Sequence, residues 1–341
     1  MSGDDAKNTD YRSIESVCFV FLHGIGDFVM FTPVLKKIKA LNPRIQTTVV
    51  LRKELGLKAL AEGQDYIDFV LEMPLRRQPR FYVPWIFWTR EYWTIKRNLR
   101  RMLKGKRFDR IQIIYNQLLP TFLYLLFRPG RARAHKIERL AREAGVFLDG
   151  REINSPALTV PDEADAMAGR AFRALLPQDY SGRRIVGIQR NTMDRTRFIP
   201  LPAVQGFING LNADMGAGGP KFFFLVFATE SSFALEQEAD RGHLEAANLL
   251  YSLRLEEGRG ALGLAALVQN CDFILSVDSA VFNIASALGK PLIGVFPNYK
   301  VRGRQRALKR EDILCIDSPR VSAGDLLPNF YSLLGRENGA R

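Results

Sequence analysis

The chain has 341 residues, 47% of them hydrophobic, and a formal net charge of +13. That length exceeds a single core, so two domains of about 150 to 180 residues are expected, and no run of about 18 apolar residues offers a membrane span: the nearest, 111–127, is broken by Gln112, Asn116, Gln117 and Pro120. Three widely spaced cysteines (Cys18, Cys271, Cys315) and three histidines (His23, His135, His243) without ligand spacing exclude a disulfide scaffold and a Cys/His metal site, and imply buried thiols in a reducing compartment.

Residues 1–13 carry Asp4, Asp5 and Asp10 and no apolar core, and read as a disordered leader rather than a signal peptide. The apolar run Val17 to Leu22 then reads as a strand buried on both faces, stopped by Gly24 and Gly26. A helix follows, with Phe28, Phe31, Val34, Leu35 and Ile38 at helical spacing and Asp27 placed to cap it. Without a third glycine this turn is no dinucleotide fingerprint, and the chain has no P-loop. Pro33, next to Thr32, is expected to sit in the helix's first turn. Further strands are predicted at 47–51, 67–71 and 110–115, and a helix at 118–127, an alternation that implies a parallel sheet.

Between Arg76 and Arg107 lie eleven Lys or Arg residues and one acid, Glu91, together with all three tryptophans, Trp85, Trp88 and Trp93. The apolar positions 85, 88, 92, 95, 99 and 102 follow a helical period, so residues 80–104 read as a basic amphipathic helix. Two readings stand: contact with a membrane surface or an acidic acceptor, or a stripe packed on the domain core beneath solvated charges. Arg97, Arg100 and Arg101 are its candidate phosphate-side residues.

Asn154-Ser155-Pro156 and Pro161-Asp162 mark a domain boundary, giving domains 14–157 and 158–341. The second domain repeats the alternation: a helix near 163–176, a strand at 184–189, a polar loop at 190–197, a helix at 201–211, a glycine-rich turn at 215–220, and a strand at 222–228. Helical stretches at 232–238 and 261–269, a strand at 273–277, a helix at 281–288 and a last strand at 291–296 follow. The basic run Lys300 to Arg310 is either a loop near the site or plain surface. A ligand cleft between two such domains is expected.

The segment 273–297 repeats the opening unit, with Asp278 and Ser279 at the carboxyl end of a buried strand and a helix behind them. It resembles the nucleotide-binding motif of glycosyltransferase family 9, the ADP-heptose heptosyltransferases of lipopolysaccharide core synthesis. Gly26-Asp27 with Thr32-Pro33 resembles that family's N-terminal motif, residues 108–115 a later strand, and Arg197-Phe198-Ile199-Pro200 its Lys/Arg-x-Trp-Pro entry to a helix. The chain departs from the family pattern at Ile199, where the family has Trp, and at Asp278-Ser279-Ala280 with Asn283, where it has Asp-Thr-Gly and a histidine.

The resemblance implies a GT-B fold of two Rossmann-like α/β domains facing across a cleft, and an inverting, metal-independent transfer. Asp27 would be the general base, Gly24 and Gly26 would line the acceptor side, and Thr192, Arg197, Glu230, Asp278, Ser279 and Asn283 would hold the donor. The donor would be a nucleotide-diphosphate sugar, ADP-heptose foremost, and the acceptor a phosphorylated glycolipid or saccharide at the cytoplasmic face of the inner membrane, with no cofactor and no nucleic-acid partner. Open alternatives are a transferase with a soluble acceptor, a sugar-nucleotide epimerase, and a non-catalytic nucleotide-sugar or nucleic-acid binder.

Overall fold

The computed structural model describes residues 11–75, 90–114, 140–141, 144–149, 152, 157–175, 184–192, 197–214, 222–228, 251–252, 260–297, 310–318 and 320–339. The expectations for residues 1–10, for Trp85 and Trp88, for the helices at 118–127 and 232–238, for the turn at 215–220, for Glu230 and for 300–309 lie outside them. The chain divides into two units, Met1–Thr159 with Glu257–Leu262, and Val160–Glu256 with Gly263–Arg341.

In the first unit, the hydrophobic run becomes β1 (Ser16–Phe21), whose residues from Val17 onward are fully buried. It is flanked by β2 (Gln46–Arg52) and β4 (Arg110–Ile114), with β3 (Phe69–Met73) beyond β2, in the order β3-β2-β1-β4. Each described pairing is parallel. Burial on both faces is what a parallel sheet covered by helices demands, and explains the unbroken apolar run. Helix α1 (Ile25–Leu41) buries Phe28, Phe31, Val34, Leu35 and Ile38 against it, with the Phe31 ring 5.3 Å from Phe21 and 5.4 Å from Phe19. A short helix, α2 (Lys58–Glu62), lies between β2 and β3.

Several expectations need correction here. Pro33 lies well inside α1, beyond the first turn. The carbonyl that a residue-33 N–H would normally fill is that of Val29, and the Thr32 hydroxyl donates to it at 2.7 Å. The Thr-Pro pair thus repairs its own helix. The leader does not extend to residue 13, because Tyr11 is 1% exposed and its hydroxyl donates to the carbonyl of Ala144. The third strand begins at Phe69 rather than Ile67, whose N–H is used in a turn to the Gln64 carbonyl at 3.1 Å.

Helix α3 (Arg90–Met102) turns Ile95 inward, 6% exposed, into a cluster with Cys18, Val20, Leu22, Val50, Met73 and Leu75. Leu99, Met102 and Leu103 pack on the same cluster. The described part of the apolar stripe is therefore core, as the second of the two sequence readings has it.

The second unit holds α4 (Asp162–Leu175), β5 (Arg184–Gln189), α5 (Leu201–Asp214), β6 (Phe222–Ala228), β7 (Tyr251–Ser252) and α6 (Gly260–Gln269), whose first residues group with the first unit. Then come β8 (Phe273–Val277), α7 (Ala280–Ala287), β9 (Leu292–Val295), β10 (Ile313–Ile316) and α8 (Ala323–Gly339). Its six strands run parallel in the order β10-β9-β8-β5-β6-β7. The strand at 292–295 is not the last: β10 forms the edge, and Cys315 on it is exposed, unlike buried Cys18 and Cys271. Helix α8 is central to this core, with the Phe330 ring 5.4, 5.3 and 4.9 Å from those of Phe207, Phe222 and Phe273.

Candidate functional site

Reading the second sheet from β7 gives a first strand, β5, with later strands built outward on both its sides. The order reverses between β5 and β8, and in open α/β sheets ligands bind outside the carboxyl ends of the strands at such a reversal. Gln189 at the end of β5 pairs with Ser276 near the end of β8, so the segments leaving these two strands start side by side. The loop after β5 doubles back on itself, Asn191 bridging to Phe198 and the Ile199 N–H donating to the Arg190 carbonyl at 2.8 Å. That fold-back returns Arg197 to the strand end. Its guanidinium Nη1 donates to Asp278 Oδ2 at 2.9 Å, across the reversal.

Thr192 is on the same loop and partly exposed. Ser279 is the cap of α7: its hydroxyl accepts from the Phe282 N–H at 3.3 Å and hydrogen-bonds to the Ser276 hydroxyl at 2.9 Å. The cap residue is Ser279 rather than Asp278, whose carboxylate accepts from Arg197. Asn283 is 8% exposed, and its Nδ2 donates to the Ser279 carbonyl at 3.0 Å, so its amide serves its own helix. Ile199 is wholly buried in the core of the unit. Phe198 beside it is 46% exposed.

The first unit carries the same reversal between β1 and β4. Gly24, in extended conformation, is the cap residue of α1, and its carbonyl accepts from the N–H groups of Asp27 and Phe28, both at 3.1 Å. Asp27 is therefore not the cap expected from the sequence but sits in the first turn. A carboxylate is favoured there by the helix dipole, while the amides of Ile25 and Gly26 have no acceptor within the helix. A side chain at Gly24 would meet no heavy atom within 4 Å among the described residues, so its glycine is not a packing requirement.

His23, which shows no metal-ligand spacing in the sequence, has a structural partner. It is 5% exposed, with Nε2 2.9 Å from the Ile114 carbonyl at the end of β4. Since a carbonyl only accepts, Nε2 carries the proton. A histidine immediately before a Gly-x-Gly-Asp turn was the signal available. Arg97, Arg100 and Arg101 are exposed on the outer face of α3. Among the described residues, no cluster of three His, Cys, Asp or Glu could hold a metal ion, and no helix is long and apolar enough to cross a membrane.

Residues 228–320 match the profile of glycosyltransferase family 9 (heptosyltransferase). That stretch contains Asp278, Ser279 and Asn283. No curated protein matches the chain by sequence. Among solved structures, the chain is similar to ADP-heptose lps heptosyltransferase II of E. coli, with a TM-score of 0.64 and 16% identity over 95% of this chain and 99% of that one. It is similar to a glycosyl transferase family 9 protein of Veillonella parvula, with a TM-score of 0.63 and 14% identity over 92% and 88%. E. coli heptosyltransferase WaaC with ADP-2-deoxy-2-fluoro heptose gives 0.55 and 17% over 95% and 99%. The fold is that of these GT-B enzymes, two parallel α/β units, and the resemblance to family 9 holds by sequence over the C-terminal segment.

Proposed function

We propose that this protein is a glycosyltransferase whose donor is a nucleotide-diphosphate sugar, ADP-heptose foremost. The observation that carries the reading is the Arg197–Asp278 pair at the reversal between β5 and β8, beside the N-terminus of α7. A guanidinium held at a strand end next to helix N–H groups is what a diphosphate leaving group needs, because both supply fixed positive potential as the glycosidic oxygen gathers charge. Such a set requires no metal ion.

In this mechanism Asp27 takes the proton of the acceptor hydroxyl. The oxygen then bonds to the anomeric carbon as the bond to the β-phosphate oxygen breaks, its electron pair leaving with the nucleoside diphosphate. A single displacement inverts the carbon. Gly24, with open space where a side chain would stand, leaves the turn open for the acceptor, and Gly26 lines the same side. The acceptor is a hydroxyl of a phosphorylated glycolipid or saccharide, which places the enzyme against the cytoplasmic face of the inner membrane. The arginines of α3 support an anionic partner there.

A thermal-shift screen tests the reading. A ligand at about 100 times its Kd stabilises by roughly 2.7 kcal/mol, so nucleoside diphosphates and their sugars should raise Tm by several degrees. A flat screen across all nucleoside diphosphates overturns it. Turnover of a sugar nucleotide with no acceptor present would instead assign an epimerase.

A further inference from the structure

We propose that the outer face of α3 docks on an anionic bilayer, and does so by charge with Trp93 at headgroup depth, without insertion of an apolar helix face. The inference deepens the membrane-side reading above and rests on it for the reason such a surface would be needed.

The sequence pattern alone would have suggested an amphipathic helix lying in the membrane with its apolar side down. The structure removes that option over the described helix. Ile95, Leu99 and Met102 are spent on the core of the first unit, against β1, β2 and β3. What remains outward is the opposite side of the helix: Arg90, Lys96, Arg97, Arg100 and Arg101, continued by Lys104 in the following turn. At 100° per residue these fall around Trp93, which is 55% exposed and has the Lys96 ammonium 4.8 Å from its ring centroid.

No carboxylate among the described residues comes within 4.0 Å of any of these six cations. Elsewhere cations are paired, as Lys37 is with Glu152, Lys39 with Asp68 and Arg310 with Asp312. The lack of pairing on α3 costs repulsion that a folded protein has no reason to keep unless an anion offsets it. The partner's form follows from the shape. The charges run along the outer side of the helix for roughly 17 Å from Arg90 to Arg101 and line an open pocket there, with no carboxylate among the described residues within 4.0 Å to fix register or orientation. A plane of lipid phosphates satisfies such a row, and an exposed tryptophan among cations suits the headgroup layer, where an amphipathic ring has one apolar and one wet side. A small phosphorylated sugar would engage only part of the row.

The experiment is sedimentation of the full chain with vesicles of phosphatidylcholine, with and without phosphatidylglycerol. Binding is expected only with the anionic lipid and is expected to weaken steeply as salt rises past about 0.15 M, where the screening length is about 8 Å. Arg97→Gln should weaken it about fivefold and the double variant Arg97→Gln, Arg101→Gln roughly 30-fold, with an unchanged melting temperature because both side chains are exposed. Equal binding to neutral vesicles, salt-resistant binding, or a double variant that binds like the parent chain would overturn the proposal. So would a single-stranded oligonucleotide that binds the same face more tightly than the vesicles do. Because no donor or turnover enters the assay, vesicle binding beside a flat nucleotide screen would sink the transferase reading and leave this one standing.

Discussion

Arg197 Nη1 donates to Asp278 Oδ2 at 2.9 Å, tying the loop after β5 to the end of β8 where the strand order reverses. The side chains are 29% and 17% exposed, so the pair contributes at most about 1 kcal/mol to stability. Its larger effect is orientation. With one nitrogen held by Asp278, the guanidinium plane is fixed before the diphosphate arrives. Arg197→Gln should therefore weaken nucleoside-diphosphate binding by roughly 10- to 100-fold, the loss of one charge-assisted hydrogen bond, with Tm nearly unchanged. Asp278→Asn should weaken it less, since an amide oxygen still accepts. Titration calorimetry with ADP decides, and unaltered affinity in Arg197→Gln would remove the diphosphate assignment.

Asp27 offers a separate test because it lies in the other unit, in the first turn of α1. Asp27→Asn keeps size and hydrogen bonding but removes proton affinity. Loss of a positioned base lowers turnover by about 100- to 10,000-fold, while the Kd for the nucleoside diphosphate should stay within about twofold. Matched losses in turnover and donor affinity would show Asp27 to be a donor contact rather than a base.

The parallel sheets were legible because strands buried on both faces leave unbroken apolar runs, as at 17–22 and 273–277, and the turn residues around Asp27 and Asp278 lie at the ends of those runs. The edge was not. Strand β10 is short and half exposed, and its sequence, Ile-Leu-Cys-Ile, lacks a flanking pattern. Helix α8 was missed although Ser322 and Asp325 announce it: the Asp325 carboxylate accepts from the Ser322 N–H at 2.8 Å and from its hydroxyl at 2.7 Å, the carboxylate's half of the capping box that the Ser-x-x-Asp spacing carries. Pairing across the fold was invisible from spacing alone. Arg197 and Asp278 are 81 positions apart, and only the adjacency of β5 and β8 joins them. The same holds for the α3 stripe, whose periodicity is identical whether a core or a bilayer covers it.

His23 ties the carboxyl end of β1 to that of β4 through the Ile114 carbonyl. His23→Ala leaves that carbonyl without its donor and opens a gap, which should cost about 1 to 3 kcal/mol in urea unfolding. If the bond also holds the Gly24 turn in register, turnover falls further than donor affinity does. An unchanged unfolding midpoint would mean that solvent replaces the imidazole at no cost.

Ser279 caps α7 through Phe282. Ser279→Ala should lower stability by about 1 kcal/mol, a Tm decrease of roughly 2 to 4 °C for a unit of this size, and Ser279→Thr should restore it. A loss of donor affinity in the alanine variant that threonine also repairs would show that the hydroxyl serves the ligand as well as the helix.

Alkaline stability has a defined direction. Burial pushes the Tyr11 phenol up to about 12 despite the nearby Arg110 guanidinium, and pushes the Cys18 thiol up to about 12. Burial also raises Tyr66 and Cys271. In each case the native state holds its proton at a pH where the unfolded chain has released it. The stabilisation from these groups is complete below the ordinary values, 9.0 for a thiol and 10.0 for a phenol, and is lost as pH rises through the native ones. At about 1.4 kcal/mol per pH unit of displacement for each group, unfolding free energy should be level up to pH 9 and then fall by several kcal/mol towards pH 12. Cys18→Ala should flatten the first part of that decline and Tyr11→Phe the later part. A parent-like slope in both variants would place the alkaline sensitivity in other groups that burial raises, among them Tyr66, Cys271 and Cys315, and take Tyr11 and Cys18 out of the account.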